Sequence, residues 1–343
     1  DALLVRSVTR VDPAMVRDSS VRFIGSCTAG VDHVDLVALE GQDITFANAP
    51  GCNARSVVEY VLCALDILAE RDGFNLTGRT VGIIGKGQVG GRLYETMSRL
   101  GVRVVACDPL CEPDPAVEFL DLDELIHHCD VIALHTPLTR SGLHPTHHLI
   151  GQRQLQSMKP GTVLVNAGRG PVVDNQALLE CLKSGQQLST VLDVWEHEPD
   201  VDPELLALVD IATPHIAGYS LDGKISGTEM VYKALCRCFG LPARVRPGAV
   251  TPIPTLKKIG YTDDISVAQA SSLSMRAVYD IRRDDARMRK LLKLDRAARK
   301  LAFDQMRRNY AERREFGTLK VQAGRCSDDV RINLAALGFH LVD

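Results

Sequence analysis

The chain is poor in aromatics, with 5% Phe, Trp and Tyr and a single tryptophan, and it has no long apolar run. Its longest apolar stretch, from Val57 to Ala69, is broken by Glu59 and Asp66, so it is too short and too charged to cross a bilayer. No charge of one sign dominates: 40 Lys and Arg stand against 43 Asp and Glu. The net of -3 gives no overall pull toward nucleic acid or anionic lipid. There is no Cys-x-x-Cys among the ten cysteines, and Cys236 and Cys238 lack His or Cys partners for zinc. Reduced cysteines in a cytoplasmic protein are expected. No internal repeat, low-complexity tract or signal-peptide pattern is present. The opening Asp1-Ala2-Leu3-Leu4-Val5 reads as a strand already under way, so the N-terminus of the full-length protein is expected to lie earlier.

What remains is a chain of 343 residues with 45% hydrophobic and 24% charged residues, enough for two or three cores. Short β-rich apolar segments alternate with helical periodicity, which predicts an α/β fold with a mainly parallel sheet. Strands are predicted near 2–5, 21–24 and 44–46, then a long helix to about 71. Six further strands begin near 80, 102, 131, 163, 189 and 211, with crossover helices between them. That is the content of a doubly wound dinucleotide-binding domain. After 214 a helix over 221–239 leads to a Pro/Gly-rich connector. Beyond it lie a helix near 267–280, a charge-dense stretch, and a strand–helix–strand signal to the end. Residues 255–343 are expected to form a small separate α+β domain.

Gly85-Lys86-Gly87-Gln88-Val89-Gly90 follows one predicted strand and opens a helix. Alone this pattern is a common glycine-rich turn. In this context the first glycine turns the chain, the second admits a pyrophosphate, and the third packs helix on strand. Asp108 ends the next strand, where a carboxylate accepts from an adenosine ribose and repels a 2′-phosphate, favouring NAD over NADP. Three more strand ends carry Asn166-Ala167-Gly168-Arg169-Gly170, Asp193-Val194-Trp195-Glu196-His197-Glu198-Pro199 and Thr213-Pro214-His215. Oxidising a secondary alcohol needs a base, which His215 supplies, a carboxylate to steady its imidazolium, which Glu198 supplies, and a cation for a substrate carboxylate, which Arg169 supplies.

The run from Thr80 to Gly218 resembles the D-isomer-specific 2-hydroxyacid dehydrogenases through these motifs. The resemblance implies Arg169, Glu198 and His215 as the catalytic set. It puts Gly85, Gly87, Gln88, Val89 and Gly90 at the cofactor phosphates, Asp108 on the ribose and Thr136 over the cofactor. Ala167, Gly168 and Arg169 would line the nicotinamide side, with Asp193 and Gly218 nearby. It further implies a doubly wound Rossmann-type NAD-binding domain, 57–216, inserted into a smaller flavodoxin-like substrate domain, 1–56 and 217–247.

Val5-Arg6-Ser7-Val8-Thr9, Cys27-Thr28-Ala29-Gly30-Val31-Asp32-His33 and Tyr279-Asp280-Ile281-Arg282-Arg283-Asp284-Asp285 narrow the likeness. They are similar to one subfamily, which oxidises 4-phospho-D-erythronate with NAD in vitamin B6 synthesis. That subfamily carries an extra C-terminal α+β dimerisation domain, here 248–343, so a homodimer is implied. Arg6, Ser7, Thr28 and Tyr219 are the substrate candidates, with the backbone N–H groups of 28–30 at the carboxylate end. A 3-phosphoglycerate dehydrogenase, another D-2-hydroxyacid dehydrogenase and an NAD(H)-sensing corepressor are the alternatives. The first commonly has an Arg where Ser26 stands.

Two signals invite other chemistry. His144-Pro145-Thr146-His147-His148 offers imidazoles with no acidic neighbour in sequence, so a polar loop is expected and no metal. The basic residues between 276 and 315 are interleaved with Asp and Glu, which predicts salt-bridged faces, not nucleic-acid binding.

Overall fold

The computed structural model describes residues 1–17 and 19–343. Strand and helix alternate at the start as β1 (Ala2–Val5), α1 (Pro13–Val16), β2 (Phe23–Ser26), α2 (Leu36–Leu39) and β3 (Thr45–Ala47). The long helix α3 (Ala54–Asp72) leads into β4 (Thr80–Ile84), α4 (Gln88–Arg99), β5 (Arg103–Cys107), α5 (Leu122–His128) and β6 (Val131–Leu134). Next come α6 (Gln152–Ser157), β7 (Thr162–Asn166), α7 (Asn175–Lys183), β8 (Leu188–Leu192), α8 (Pro203–Leu208) and β9 (Ile211–Ala212). The last part holds α9 (Leu221–Cys238), β10 (Lys258–Gly260), α10 (Val267–Val278), α11 (Arg282–Arg289) and α12 (Arg296–Arg308). It ends with β11 (Lys320–Gln322), α13 (Asp328–Leu337) and β12 (His340–Val342).

By packing, the chain falls into two compact units: residues 1–56, 218–255 and 312–315 in one, and 57–217, 256–311 and 316–343 in the other. In the first, β1, β2 and β3 form a parallel sheet in that order. Successive residues of β2 serve opposite faces, as a strand's two-residue period requires. Phe23 packs with Val231 of α9, and Ile24 packs with Val5, Val11 and Leu39.

In the second unit six parallel strands run in the order β5-β4-β6-β7-β8-β9. All four residues of β6 are buried, which is why it reads as an unbroken apolar run. From β4 the chain moves to β5 on one side and then crosses back to β6 on the other. Ligands bind outside the carboxyl ends of the strands at such a reversal. Asp residues start the short helices: Asp121 forms a capping box with Glu124, Asp174 accepts from Ala177 N, and Asp202 accepts from Glu204 N.

The C-terminal residues form a three-stranded parallel sheet, β10-β11-β12, where only the last strand–helix–strand was expected. They also do not stand apart from the large sheet. Met288, Leu291 and Phe303 are fully buried in the same core as Ile84, Leu134 and Leu192. The charge-dense stretch is thus two packed helices, α11 and α12, anchored by few apolar residues, chiefly Met288 and Phe303. Asp285 accepts from Ala212 N at the end of β9, and Arg289 donates to the carbonyls of Leu206 in α8 and of Val209 and Asp210 just after it. No helix among the described residues is long and apolar enough to cross a membrane.

Candidate active site

Gly85 leaves β4 at φ 90°, a left-handed conformation that favours glycine, and a Cβ there would lie 2.9 Å from the backbone of His135 and Thr136. A Cβ on Gly90 would lie 1.9 Å from Gly85 O, so α4 could not pack against the turn with any other residue. Gly87 has nothing within 4 Å of where its Cβ would be, and it caps α4 without a side-chain bond. The helix therefore presents the N–H groups of its first turn, at Gln88 and Val89, toward that space. Asp108 Oδ2 accepts from Lys86 N at 2.8 Å and Oδ1 from Leu110 N at 3.0 Å, which fixes the carboxylate beside the glycine turn. Thr136 Oγ1 is buried with no hydrogen-bond partner, an exception that calls for a ligand atom. A dinucleotide suits this set: a turn open at Gly87, an uncapped helix, a carboxylate held at the end of β5 and an unsatisfied hydroxyl.

The ends of β7, β8 and β9 are tied together by named contacts. Asn166 accepts from Gly168 N at 3.2 Å and donates to Arg169 O at 3.0 Å, shaping the loop that carries Arg169. Arg169 Nη1 donates to Gly168 O at 3.0 Å. Gly170 is pressed on the next loop, where a Cβ would sit 2.0 Å from Trp195 O. Trp195 N donates to Glu198 Oε1 at 2.8 Å, and its indole N–H donates to Thr213 O at 3.0 Å. Glu198 Oε2 lies 2.8 Å from His215 Nδ1. With Nδ1 donating to this carboxylate, Nε2 carries the lone pair of the neutral ring.

Asp193 shapes the His215 loop. Its carbonyl accepts from His215 N at 2.7 Å, while its carboxylate accepts from Thr213 Oγ1, Ile216 N and Ala217 N at 2.6, 2.8 and 2.9 Å. His215 sits at φ 57°, a strained value for a non-glycine residue that these bonds hold in place.

Charge follows burial and neighbours. Burial alone would raise the Glu198 carboxyl, but His215, Trp195 N–H and Arg307 together hold it below the usual range. Burial pushes the Asp193 carboxyl up, against the pull of His215 and its hydrogen bonds. Burial lowers His135 to about 4, and its Nε2 has no partner.

The expected residues fall into groups. Gly85, Gly87, Gln88, Val89, Gly90, Asp108 and Thr136 gather at the ends of β4, β5 and β6. Ala167, Gly168, Arg169, Asp193, Glu198 and His215 gather at the ends of β7, β8 and β9. Arg6, Ser7, Thr28, Gly218 and Tyr219 belong to the other unit. There Gly218 packs on Asn53, with a Cβ position 2.3 Å from Asn53 Nδ2. Thr28 Oγ1 bonds Ser26 Oγ at 2.8 Å and donates to Gly30 O at 3.1 Å.

Sequence reasoning missed Lys224. Its Nζ lies 5.2 Å from the Tyr219 ring centroid, and burial followed by the nearby Arg6 lowers its pKa. No carboxylate among the described residues pairs with it. A lysine in the first turn of a predicted helix carried no signal; only the fold brings it to Arg6.

The His-rich loop is corrected. It has acidic neighbours, brought from far along the chain: His148 Nε2 lies 2.6 Å from Glu196 Oε1, and Nδ1 lies 3.5 Å from Asp174. His147, His148 and Glu196 have ligand atoms within 4.8 Å of one another. The two imidazoles are stacked at 4.0 Å, so their in-plane lone pairs run side by side and do not converge on one ion. Glu196 is also engaged at the start of α7, accepting from Asn175 N.

The fold and the site define a 2-hydroxyacid dehydrogenase with an NAD-binding domain. Residues 66–217 match the family model described as D-isomer specific 2-hydroxyacid dehydrogenase, NAD binding domain, and 250–338 match a domain of unknown function. The erythronate-4-phosphate dehydrogenase of Chromohalobacter salexigens is 51% identical over 99% of this chain and 88% of its own length. That of Azotobacter vinelandii is 51% identical over 98% and 89%. Among solved structures, a protein from Thermus thermophilus matches with TM-score 0.60 at 31% identity, covering 70% of this chain and 84% of its own. A D-lactate dehydrogenase from Aquifex aeolicus, complexed with NAD and lactic acid, matches with TM-score 0.59 at 25% identity over 70% and 83%. The chain belongs to the erythronate-4-phosphate dehydrogenase family, within the D-isomer specific 2-hydroxyacid dehydrogenases.

Proposed function

We propose that the chain oxidises 4-phospho-D-erythronate to 3-hydroxy-2-oxo-4-phosphooxybutanoate, a step of vitamin B6 synthesis. The observation that carries this reading is the His215–Glu198 pair at 2.8 Å, at strand ends beside Arg169, in a chain so similar to the named relatives. Gln88, Val89 and Gly90 would hold the cofactor phosphates, Asp108 the ribose, and Thr136 would donate its buried hydroxyl. Bound NAD+ supplies the hydride acceptor. Arg169 would grip the substrate carboxylate through its planar fork and polarise the C2 oxygen. The C2–H bond breaks with its electron pair leaving as hydride, and the hydroxyl proton passes to His215 Nε2. Glu198 stabilises the imidazolium until the proton leaves for solvent. The products are the 2-oxo acid, NADH and one proton.

Arg6, Lys224 and the N–H groups of 28–30 are the anion-binding features of the smaller unit. Arg6 and Lys224 have no acidic partner among the described residues, which supports a phosphate between two cations. Ser7 and Tyr219 complete the polar set. Homodimerisation is expected through the segment 248–343, most of which packs with the large sheet and which does not form a separate domain; sedimentation tests the dimer. All ten thiols are free, which supports a reducing cytoplasm.

The test is NADH formation with 4-phosphoerythronate beside 3-phosphoglycerate and unphosphorylated hydroxy acids. Preference for 4-phosphoerythronate supports the reading. Preference for 3-phosphoglycerate, or NAD binding without turnover of any acid, overturns it.

A further inference from the structure

Glu198 Oε2 faces a histidine ring and a guanidinium. His215 Nδ1 is 2.8 Å away, and Arg307 Nη1, from α12, is 3.9 Å away. Arg307 does not reach in from a loose tail. Phe303, one turn earlier on the same face of α12, is fully buried in the core that also holds Leu134 and Leu192. The guanidinium is therefore carried by a packed helix, and its side chain is only 24% exposed.

Resting on the proposed roles of His215 and Glu198, we infer that Arg307 is a positioning residue for the oxidation, dividing the charge of Glu198 and setting the pH at which His215 becomes a free base. A guanidinium keeps its charge throughout the working range. It draws on the same oxygen that steadies the imidazolium, and it repels the imidazolium directly. Both effects lower the affinity of His215 for its proton. A further charged group beside the pair is Asp193, past the end of β8, which acts on His215 with the opposite sign. The lowered carboxyl of Glu198 agrees with His215 and Arg307 both drawing on it. The segment matched by a family model without a stated function thereby takes part in the chemistry of the NAD-binding domain.

The experiment uses the full chain, with Arg307→Gln and Arg307→Lys. Arg307→Met keeps the apolar stem packed if Arg307→Gln fails to fold. In the neutral variants the acidic limb of kcat/KM for oxidation is expected to move to higher pH by about half a unit or more, and Arg307→Lys to restore most of it. This is opposite to the shift expected for Glu198→Gln. A second readout needs no substrate: the pH of half-maximal modification of His215 by diethyl pyrocarbonate, followed by mass spectrometry of its peptide. It is expected to rise in the same variants. If both midpoints keep their wild-type values in a folded neutral variant, the inference is overturned, even where kcat or stability falls. If the modification midpoint rises while 4-phosphoerythronate yields no NADH, Arg307 keeps its role and the substrate reading falls.

Discussion

His215 Nδ1 and Glu198 Oε2 lie 2.8 Å apart although they sit on different loops, and each loop is held by a separate backbone bond. Trp195 N orients the carboxylate and Asp193 O orients the histidine. His215→Ala is expected to lower the oxidation rate by ~10²–10⁴-fold, the usual loss for a general base. Glu198→Gln should be milder and should move the acidic limb of kcat/KM to lower pH. The sign follows from removing the anion that stabilises imidazolium, which lowers the His215 pKa, while oxidation needs the neutral ring. A pH profile for each variant checks both statements.

Asp193 offers a second, distinguishable failure. Asp193→Ala removes the acceptor for Ile216 N, Ala217 N and Thr213 Oγ1 and releases His215 from its strained φ. A misplacement of about 1 Å costs ~10²-fold, so kcat should fall by about that factor. NAD affinity, measured by titration calorimetry, separates this from a cofactor role. A weakened Kd with unchanged kcat would place Asp193 on the cofactor side alone.

Asp108 should set cofactor choice. With its carboxylate in the proposed ribose role, NAD should be used far more efficiently than NADP, and Asp108→Ala should narrow the ratio of kcat/KM values. Equal efficiency in the wild type would count against the assignment. The variant also loses the acceptor for Lys86 N and Leu110 N, so some loss of stability, on the order of 1 kcal/mol, should accompany it.

Lys224→Ala should raise KM for the phosphorylated substrate by ~10-fold or more, the scale of one charge-assisted hydrogen bond. It should barely alter KM for an unphosphorylated hydroxy acid. Equal effects on both would move Lys224 from the phosphate to the packing of α9.

His135 links pH to stability. Burial lowers it to about 4, below the ~6.5 of an exposed histidine. Between those values the unfolded chain binds a proton that the folded chain does not, so stability is lost as pH falls through that window. The loss from pH 7 to pH 5 should be about 2 kcal/mol for this one group. Urea midpoints at the two pH values, with His135→Gln flattening the difference, provide the check.

The strand-end motifs were legible because each couples a local backbone need to a chemical group. Gly85 must turn, Gly90 must pack, and Asp108 ends a strand beside them. The six large-sheet strands were legible from apolar runs such as the residues of β6. Much of the rest depends on long-range contacts. α12 shows mainly Arg, Lys and Ala, and its anchoring residue Phe303 is a single aromatic in a charged stretch. Lys224 comes under the influence of Arg6, and Arg307 approaches Glu198, across long stretches of sequence. His148 looked isolated only because Glu196 and Asp174 come from other loops. β10 has only three residues, and its one inward position, Ile259, is too little for an alternating pattern.

The four residues Glu312 to Glu315 pack with the first unit, although the segments on both sides of them pack with the second. Arg313 donates to Ser56 O, Arg314 pairs with Asp222, and Glu315 accepts from Ser56 and Ser220 hydroxyls. The smaller unit is consequently completed only after most of the larger one. Its first strands leave the ribosome well before residues 312–315, their closing partners, are made. Contacts this distant in sequence slow folding, because a long loop must close before they form. During synthesis the large sheet can assemble while the N-terminal strands wait, which makes them the part of the nascent chain most in need of shelter from aggregation.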